Sequence, residues 1–112
     1  MSARLPGPKY KTVFDRGRSE KVRLLVAWHY SAHDADQQAG VVVSKKSFRH
    51  AVDRNRAKRL LREAFRLLVK EGAMPANTEW IFIGRAALRG RRCADVMEEM
   101  KCLASRDSRP RH

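Results

Sequence analysis

Apolar residues recur along the chain with two different spacings, and each spacing predicts a type of element. Tyr10, Val13 and Phe14 are spaced i, i+3 and i+4, which predicts a short helix that ends near Gly17. Residues 22–28 instead alternate, as is typical of a strand. The two predicted faces of this strand consist of Val22, Leu24, Val26 and Trp28 and of Arg23, Leu25, Ala27 and His29.

Four further elements follow. The β-branched run at residues 40–43 predicts a second strand, and residues 49–70 carry the strongest helical pattern of the chain, ended by Gly72. Residues 79–84 predict a third strand, in which Trp80 and Phe82 lie opposite Ile81 and Ile83. Residues 94–103 predict a last helix with three inward-facing side chains, Val96, Met100 and Leu103.

The order of these elements predicts the fold class. Helix, strands, helix, strand and helix together indicate a small single-domain α/β sandwich, one sheet with helices packed on it. A chain of 112 residues is long enough for one core. We expect a flexible lead-in at residues 1–8, a single folded domain at residues 9–104 and a flexible tail at residues 105–112.

The net charge changes the picture from a generic domain to one with a polyanionic partner. The chain has 25 Lys and Arg against 12 Asp and Glu, which leaves +13. So large an excess opposes folding through self-repulsion, and nucleic acid is the partner that it favours. An anionic membrane is disfavoured as the partner, because neither terminus shows an amphipathic basic helix or a lipidation motif. The longest apolar run, residues 24–28, is also far too short to span a bilayer. We therefore expect a cytoplasmic protein with no membrane partner.

Cysteine and histidine residues do not point to a metal site or a disulfide. Cys93 and Cys102 lie on one predicted helix, where nine residues correspond to roughly 13 Å of rise, too far for a disulfide. His29 and His33 have a spacing that two metal ligands can have on a helix, but they fall where a strand runs into a loop. We predict reduced thiols and no metal site.

Basic residues are concentrated in and before the long helix. Residues 44–66 contain two acidic residues, Asp53 and Glu63, which leaves +7 for this segment. The nine basic residues are Lys45, Lys46, Arg49, Arg54, Arg56, Lys58, Arg59, Arg62 and Arg66. More than half of the net charge of the chain therefore lies in this one segment.

The placement of this charge on the helix indicates its role. At about 100° per residue, one side of the helix carries Arg54, Lys58, Arg62, Asn55, Arg66 and Arg59. The other side is apolar, with Leu60, Ala64, Ala57, Leu68, Leu61 and Phe65. A merely solvated face usually alternates acids with bases, because like charges at i, i+4 destabilise a helix. The arginine-rich side is therefore predicted to bind a polyanion, through the hydrogen bonds to phosphate that arginine favours.

These residues match a known signature. The second strand ends in Val42-Val43-Ser44-Lys45-Lys46, and seven residues later comes Arg54-Asn55-Arg56-Ala57-Lys58-Arg59-Leu60-Leu61-Arg62-Glu63-Ala64-Phe65-Arg66. This combination resembles the ribonuclease P protein family, whose hallmark is an RNR helix after a strand that ends in SKK. The resemblance continues in Tyr10, Phe14, Gly17 and Arg18 and in Ile81-Phe82-Ile83-Gly84-Arg85, and it covers roughly residues 9–103.

The resemblance implies a fold and a function. The fold of the family is an α/β sandwich with a left-handed β-α-β crossover. Its members are protein subunits of a ribonucleoprotein endoribonuclease in which a catalytic RNA, with magnesium, removes the 5′ leader of precursor tRNA. The resemblance therefore implies ribonuclease P RNA and precursor tRNA as partners, magnesium held mainly by the RNA, no organic cofactor and no catalytic residue. It also implies a monomer in the holoenzyme.

The resemblance also implies two sets of binding residues. The set that faces the catalytic RNA consists of Arg54, Asn55, Arg56, Lys58, Arg59 and Arg62. The set that binds the leader, in a cleft between the first helix and the sheet, consists of Tyr10, Phe14, Trp28, Lys45 and Lys46. Aromatic stacking beside a cationic track is how proteins bind single-stranded RNA. Phe14 and Trp28 have a second interpretation, as core residues.

Three other functions stay open as alternatives. A ribosomal or other structural RNA-binding protein would use the same basic helix. A DNA-binding regulator is disfavoured, because no second helix joined by a three- or four-residue turn is predicted. A free-standing ribonuclease is disfavoured, because the acidic residues are scattered and no histidine lies in a recognisable general-base motif.

Overall fold

A computed structural model of the protein describes residues 4–107. Its elements, in chain order, are α1 (Gly7–Arg16), β1 (Arg18–Lys21), β2 (Leu25–Ser31), β3 (Gln38–Val42), α2 (Ala51–Lys70), β4 (Thr78–Gly84), a short 3-10 helix (Ala86–Leu88) and α3 (Cys93–Asp107). The predicted helices and the strands near residues 40–43 and 79–84 are confirmed.

The four strands form one sheet in the order β1-β2-β4-β3. The pairs β1-β2 and β2-β4 are antiparallel, whereas β3 and β4 are parallel and are connected through α2. Because two parallel neighbours need a crossover, α2 must pass over one face of the sheet. This mixed α/β arrangement confirms the predicted fold class, and the left hand of the crossover stays a prediction.

The two faces of the sheet are covered by different helices. The main core lies between one face and the pair α2 and α3, and it includes Trp80 and Phe82 of β4. The other face packs against α1, where Leu5, Val13 and Ile81 form a small separate cluster. The alternation predicted for β4 is therefore confirmed, and it places a helix-covered surface on each side of one sheet.

The helix α2 follows its sequence pattern closely. Five of the six residues on its predicted apolar side are buried, Ala57, Leu61, Ala64, Phe65 and Leu68, and the sixth, Leu60, is half-buried. The helix ends at Lys70, and Gly72 follows the C-cap residue Glu71 with a φ of 74°, in the left-handed region that glycine adopts readily. The N–H groups of Gly72 and Ala73 then donate to the carbonyls of Val69 and Leu68, a Schellman cap. No helix within residues 4–107 combines the length and the apolar character needed to cross a bilayer.

The predicted strand at residues 22–28 is wrong in its first half. Residues 18–21 form β1, which the sequence pattern missed, and the chain then turns back so that the N–H of Val22 donates to the carbonyl of Leu25. Leu24 lies at this turn, is fully buried in the main core and donates its N–H to the side chain of Glu99. The apolar residues at positions 22 and 24 fit the alternation of a strand, although they lie in the turn between β1 and β2.

Both ends of the folded domain lie further out than predicted. The helix α1 begins at Gly7, and Leu5 is buried with its N–H donated to the carbonyl of Ala39, so part of the expected lead-in is structured. Pro6 and Pro8 look like coil signals, yet proline is well tolerated at the start of a helix because its missing N–H would be unpaired there. The helix α3 continues to Asp107. Residues 1–3 and 108–112 lie outside the described residues.

Candidate nucleic-acid interface

The outward side of α2 is a cationic surface. Asn55, Arg56, Arg59 and Arg62 are exposed, and Lys58 is half-buried. Residues 55–62 contain no acidic residue, and the apolar residues of the same turns point into the core. We call the exposed set of Asn55, Arg56, Arg59 and Arg62 the α2 basic face. Because the opposite side of α2 is anchored in the core, the helix fixes the spacing of the charges on the α2 basic face.

Arg54 has surroundings that differ from those of the α2 basic face. Its Nη1 atom donates to the carbonyl oxygens of Phe48, at 3.0 Å, and of Arg49, at 3.1 Å. At about 100° per residue Arg54 lies between Leu61 and Phe65, at the edge of the buried side of the helix. The guanidinium therefore holds the segment that enters α2. The predicted contact of Arg54 with RNA stays a prediction, beside this positioning role.

The C-terminal part of the strip is neutralised within the helix. Arg66 donates from Nη2 and Nε to the two carboxylate oxygens of Glu63, at 2.6 and 3.1 Å. These hydrogen bonds hold the pKa of Glu63 below its ordinary value and raise that of Arg66. Within residues 4–107, no acidic side chain forms an ion pair with the predicted cationic strip up to Arg62, whereas Arg66 is partly compensated by Glu63.

Lys45 and Lys46 lie in a tight turn between β3 and α2. The N–H of Phe48 donates to the carbonyl of Ser44, at 3.0 Å, and the Ser44 hydroxyl accepts from the N–H of Ser47, at 3.2 Å. Both lysine side chains are exposed at the tip of this turn. The turn thus presents two cations just beyond the carboxyl end of β3.

The helix α1 crosses the strands rather than running along them. Trp28, Ile81 and Gly40 are paired in one row across β2, β4 and β3. At the β2 end of this row, the ring of Phe14 meets that of Trp28 edge-on, with centroids 5.2 Å apart. At the β3 end, Tyr10 lies so close to Gly40 that an added Cβ would overlap the tyrosine oxygen. Glycine at position 40 is therefore what admits this tyrosine.

A half-exposed apolar row lies beside α1 and forms the floor of a cleft. Val26, Ile83 and Val42 are paired across β2, β4 and β3, one step along the same face from the row under α1. All three side chains are only partly buried. We call the surface made by this row and by Tyr10, Phe14 and Trp28 the α1 cleft. Continuing along β3 from Val42, the chain enters the turn that carries the two lysines.

The opposite end of this face is closed by charged residues. The Nζ atom of Lys9 donates to Glu79, at 3.0 Å, and to Asp36, at 3.1 Å. The Glu79 side chain is only 5% exposed, so it depends on this partner in the interior. The two hydrogen bonds, first the one to Glu79 and then the one to Asp36, raise the pKa of Lys9. They fasten α1 to the sheet and leave the α1 cleft open towards the lysine turn.

The structure brings together residues that the sequence patterns did not single out. Tyr30 is partly buried against the α1 cluster and shares a face with Trp28, as the alternation along β2 could have indicated. Arg85 donates from Nη1 to the carbonyl of Val22, at 2.7 Å, so this basic residue fastens the β1-β2 turn. Arg89 lies over the ring of Phe48. The last two contacts join distant segments and have no local signal.

The histidines and cysteines considered in the sequence lie on β2, on the loop that follows it and on α3. His29 is buried, with its ring centroid 5.1 Å from that of Trp80, whereas His33 is exposed on the following loop. Within the described part of the chain, no three His, Cys, Asp or Glu side chains are grouped as metal ligands would be. Cys93 and Cys102 are free thiols, as predicted, and burial raises the pKa of Cys93.

The fold and these two surfaces define a small, strongly basic α/β protein with a cationic helix on one side of its sheet and an aromatic cleft on the other. A family model described as ribonuclease P matches residues 5–107. The ribonuclease P protein component of Clostridium kluyveri is 34% identical over 95 residues, which cover 85% of this chain and 84% of that protein. The chain therefore belongs to the ribonuclease P protein family.

Solved structures agree with this assignment. The RNase P protein of Thermotoga maritima superposes with a TM-score of 0.76 at 26% identity, over 92% of this chain and 96% of that one. The RNase P protein of Staphylococcus aureus shares the fold, with a TM-score of 0.75 at 22% identity over 96% of this chain and 97% of that one.

Proposed function

We propose that this protein is the subunit of ribonuclease P that binds the catalytic RNA through the α2 basic face. The observation that carries the proposal is the one-sided charge of α2, where Arg56, Arg59 and Arg62 are exposed with no acidic residue among them. Like charges so close together destabilise an isolated helix and are compensated by a polyanion. Asn55 belongs to the same face, and the half-buried Lys58 lies beside it.

The second part of the proposal concerns precursor tRNA. The α1 cleft combines aromatic rings with a half-exposed apolar floor and leads towards Lys45 and Lys46. A single strand needs stacking surfaces for its bases and cations for its phosphates, and this side of the sheet offers both. The 5′ leader of precursor tRNA therefore binds here, between α1 and the sheet, with Tyr10, Phe14 and Trp28 in contact with its bases.

The division of labour follows from these surfaces. In this proposal the RNA performs the hydrolysis and holds most of the magnesium, as the resemblance to the family implies. The protein contributes affinity for substrate and screening of phosphate charge. It acts in the cytoplasm as one copy per holoenzyme.

Reconstitution tests this function. The purified protein is added to the ribonuclease P RNA of the same organism at low magnesium, and cleavage of precursor tRNA is measured. We expect faster cleavage than with RNA alone, and a gain in substrate affinity that shrinks when the 5′ leader is shortened. If the protein leaves cleavage unchanged, the proposal is wrong, and a ribosomal or other structural RNA-binding role becomes the better interpretation.

The docking face is tested separately by a matched pair of variants. Arg59→Gln removes an exposed cation of the α2 basic face, whereas Arg66→Gln removes one that is paired with Glu63. We expect Arg59→Gln to lower affinity for the catalytic RNA about tenfold and to reduce the salt slope by about 1. Arg66→Gln should have the smaller effect on both. Equal effects of the two variants would contradict this docking face.

A further inference from the structure

A second concave surface lies on the α2 side of the sheet, away from the α1 cleft. It is a cavity of about 270 Å³ between the first turns of α2 and the connector that follows β4. Its apolar lining consists of Phe48, Ala57, Leu60 and Leu88, and its polar lining of Asp53, Arg56, Arg89 and Arg91. We call it the connector cavity. An apolar floor with a few polar groups around it is typical of a ligand site.

One wall of the connector cavity is a prearranged cation. The guanidinium carbon of Arg89 lies 5.6 Å from the centroid of the Phe48 ring, within the range of a cation–π interaction. Its Nη2 atom donates to the carbonyl of Ser47, at 3.0 Å. Phe48 is only 1% exposed, whereas Arg89 is exposed. One side of the guanidinium is thus held against the protein, and the other is open to a planar ligand.

The remaining polar groups suit a nucleotide. Arg56 and Arg91 are exposed cations that can contact phosphate, and the Nε atom of Arg91 donates to the carbonyl of Ala87, at 3.3 Å. Asp53, in the first turn of α2, adds one acceptor among these donors. An aspartate accepts hydrogen bonds from the exocyclic amine of a base, which cytosine, adenine and guanine have and uracil lacks.

We infer that the connector cavity receives one unstacked, amine-bearing base of the catalytic RNA, an inference that rests on the proposed function. Its volume lies just below the range of drug-sized pockets, which suits one base rather than a longer ligand. Proteins read single-stranded RNA by stacking bases on aromatic rings or on arginine guanidinium planes. Arg56 belongs both to this cavity and to the α2 basic face, so the same RNA reaches both.

A charge-conserving pair of variants tests the inference. Arg89→Lys keeps the charge and loses the planar group that stacks, whereas Arg92→Lys makes the same change at an exposed connector residue outside the cavity lining. With purified ribonuclease P RNA, we expect Arg89→Lys to weaken binding about fivefold or more with an unchanged salt slope. Arg92→Lys should bind as the parent does. Equal binding by the two variants would overturn the inference.

Chemical probing of the RNA gives a second readout. The parent protein should protect the amine-bearing edge of one unpaired base, Arg92→Lys should protect it equally, and Arg89→Lys should leave it reactive. Because Arg89 also contacts Phe48, thermal unfolding checks each variant. If Arg89→Lys is unfolded, Arg91→Gln against Arg92→Gln decides instead, since each removes one charge, inside and outside the cavity. Equal loss of affinity in that pair overturns the inference.

The same experiment separates this inference from the proposed function. If Arg59→Gln loses affinity while the cavity variants behave as their controls do, the base-binding cavity is wrong and the docking face stands. If Arg59→Gln also binds as the parent does, the proposed docking through α2 is wrong, and the inference that rests on it is wrong as well.

Discussion

The two faces of the sheet are used in opposite ways. Under α2 the sheet is sealed into the main core, and the surface offered for binding is the far side of the helix itself. Under α1 the sheet is covered by a ten-residue helix with Val13 as its buried residue, and the neighbouring row of Val26, Ile83 and Val42 stays half-exposed. There the sheet is part of the proposed binding surface.

This difference shows how one small domain can present two separate candidate surfaces for RNA. The long helix buries one side and leaves the other free for charge, because its 20 residues give enough apolar side chains to hold it in place. The short helix lies across the strands and is fastened at one end by Lys9 and Glu79. It therefore forms one wall of a cleft whose floor it leaves open.

The largest expected effect concerns stability on the two faces. Leu61→Ala removes a fully buried side chain under α2 and should lower the free energy of unfolding by about 2–5 kcal/mol. Val13→Ala, equally buried but under α1, should cost about 1–2 kcal/mol, since it removes less apolar volume from a smaller cluster. Urea unfolding measures both. A larger loss for Val13→Ala would mean that α1 contributes more to the core than this comparison allows.

The next effect distinguishes the roles of two arginines that lie two positions apart, Arg54 and Arg56. Arg54→Gln removes two hydrogen bonds to carbonyls and should lower the free energy of unfolding by about 1–2 kcal/mol. Arg56→Gln removes an exposed cation, so stability should hardly change while the salt slope of RNA binding falls by about 1. Urea unfolding and salt titrations give both quantities. If the two variants matched in both, the positioning role of Arg54 would be refuted.

A smaller effect should change substrate binding on the α1 side of the sheet without changing RNA binding on the α2 side. Gly40→Ala places a methyl group where the Tyr10 oxygen lies, whereas Gly7→Ala meets nothing within 4 Å. We expect Gly40→Ala to move Tyr10 and to weaken holoenzyme binding of leader-bearing precursor tRNA by up to about tenfold, the order of one lost stacking contact. Affinity for the catalytic RNA should be unchanged, and Gly7→Ala serves as the control. A loss of catalytic-RNA binding by Gly40→Ala would show that the surfaces are not separate.

The smallest effect is a gain. Glu63→Gln releases Arg66 from its ion pair, and the added free cation should increase affinity for the catalytic RNA severalfold and the salt slope by up to about 1. Glu71→Gln is the matched control, because it also removes one negative charge of a surface pair, the one with Lys101. An equal gain in both variants would indicate a general charge effect instead of an extension of the α2 basic face.

The same pair has a defined pH dependence. The Arg66 hydrogen bond holds the pKa of Glu63 below its ordinary value of about 4.5. A depressed folded-state pKa means that the pair stabilises the protein above the unfolded value and that this contribution is lost as the pH falls through the folded one. Urea unfolding at pH 7 and pH 3 should therefore show a parent advantage over Glu63→Gln that is smaller at the lower pH.

The sequence predicted the α2 side of this comparison far better than the α1 side. The buried residues of α2 and its basic side follow from a spacing that repeats every few residues. The end of the helix follows from the glycine at position 72. The motif that resembles the family lies on the same segment. Aromatic residues of the α1 cleft were named from the resemblance, and Tyr30 was missed. The spacing of residues within α1 does not show which strand each of them contacts.

Local periodicity therefore determined which residues of this protein form elements, which side of α2 is buried and where its charge lies, because these depend on neighbours in the chain. Tertiary structure alone decided what depends on register and on distant contacts. It placed residues 22–24 in the turn between β1 and β2. It directed the guanidinium of Arg54 to the carbonyls of the segment before α2 and placed Arg89 over the ring of Phe48. It also placed Tyr10 on Gly40, since only packing brings residues thirty positions apart into one row.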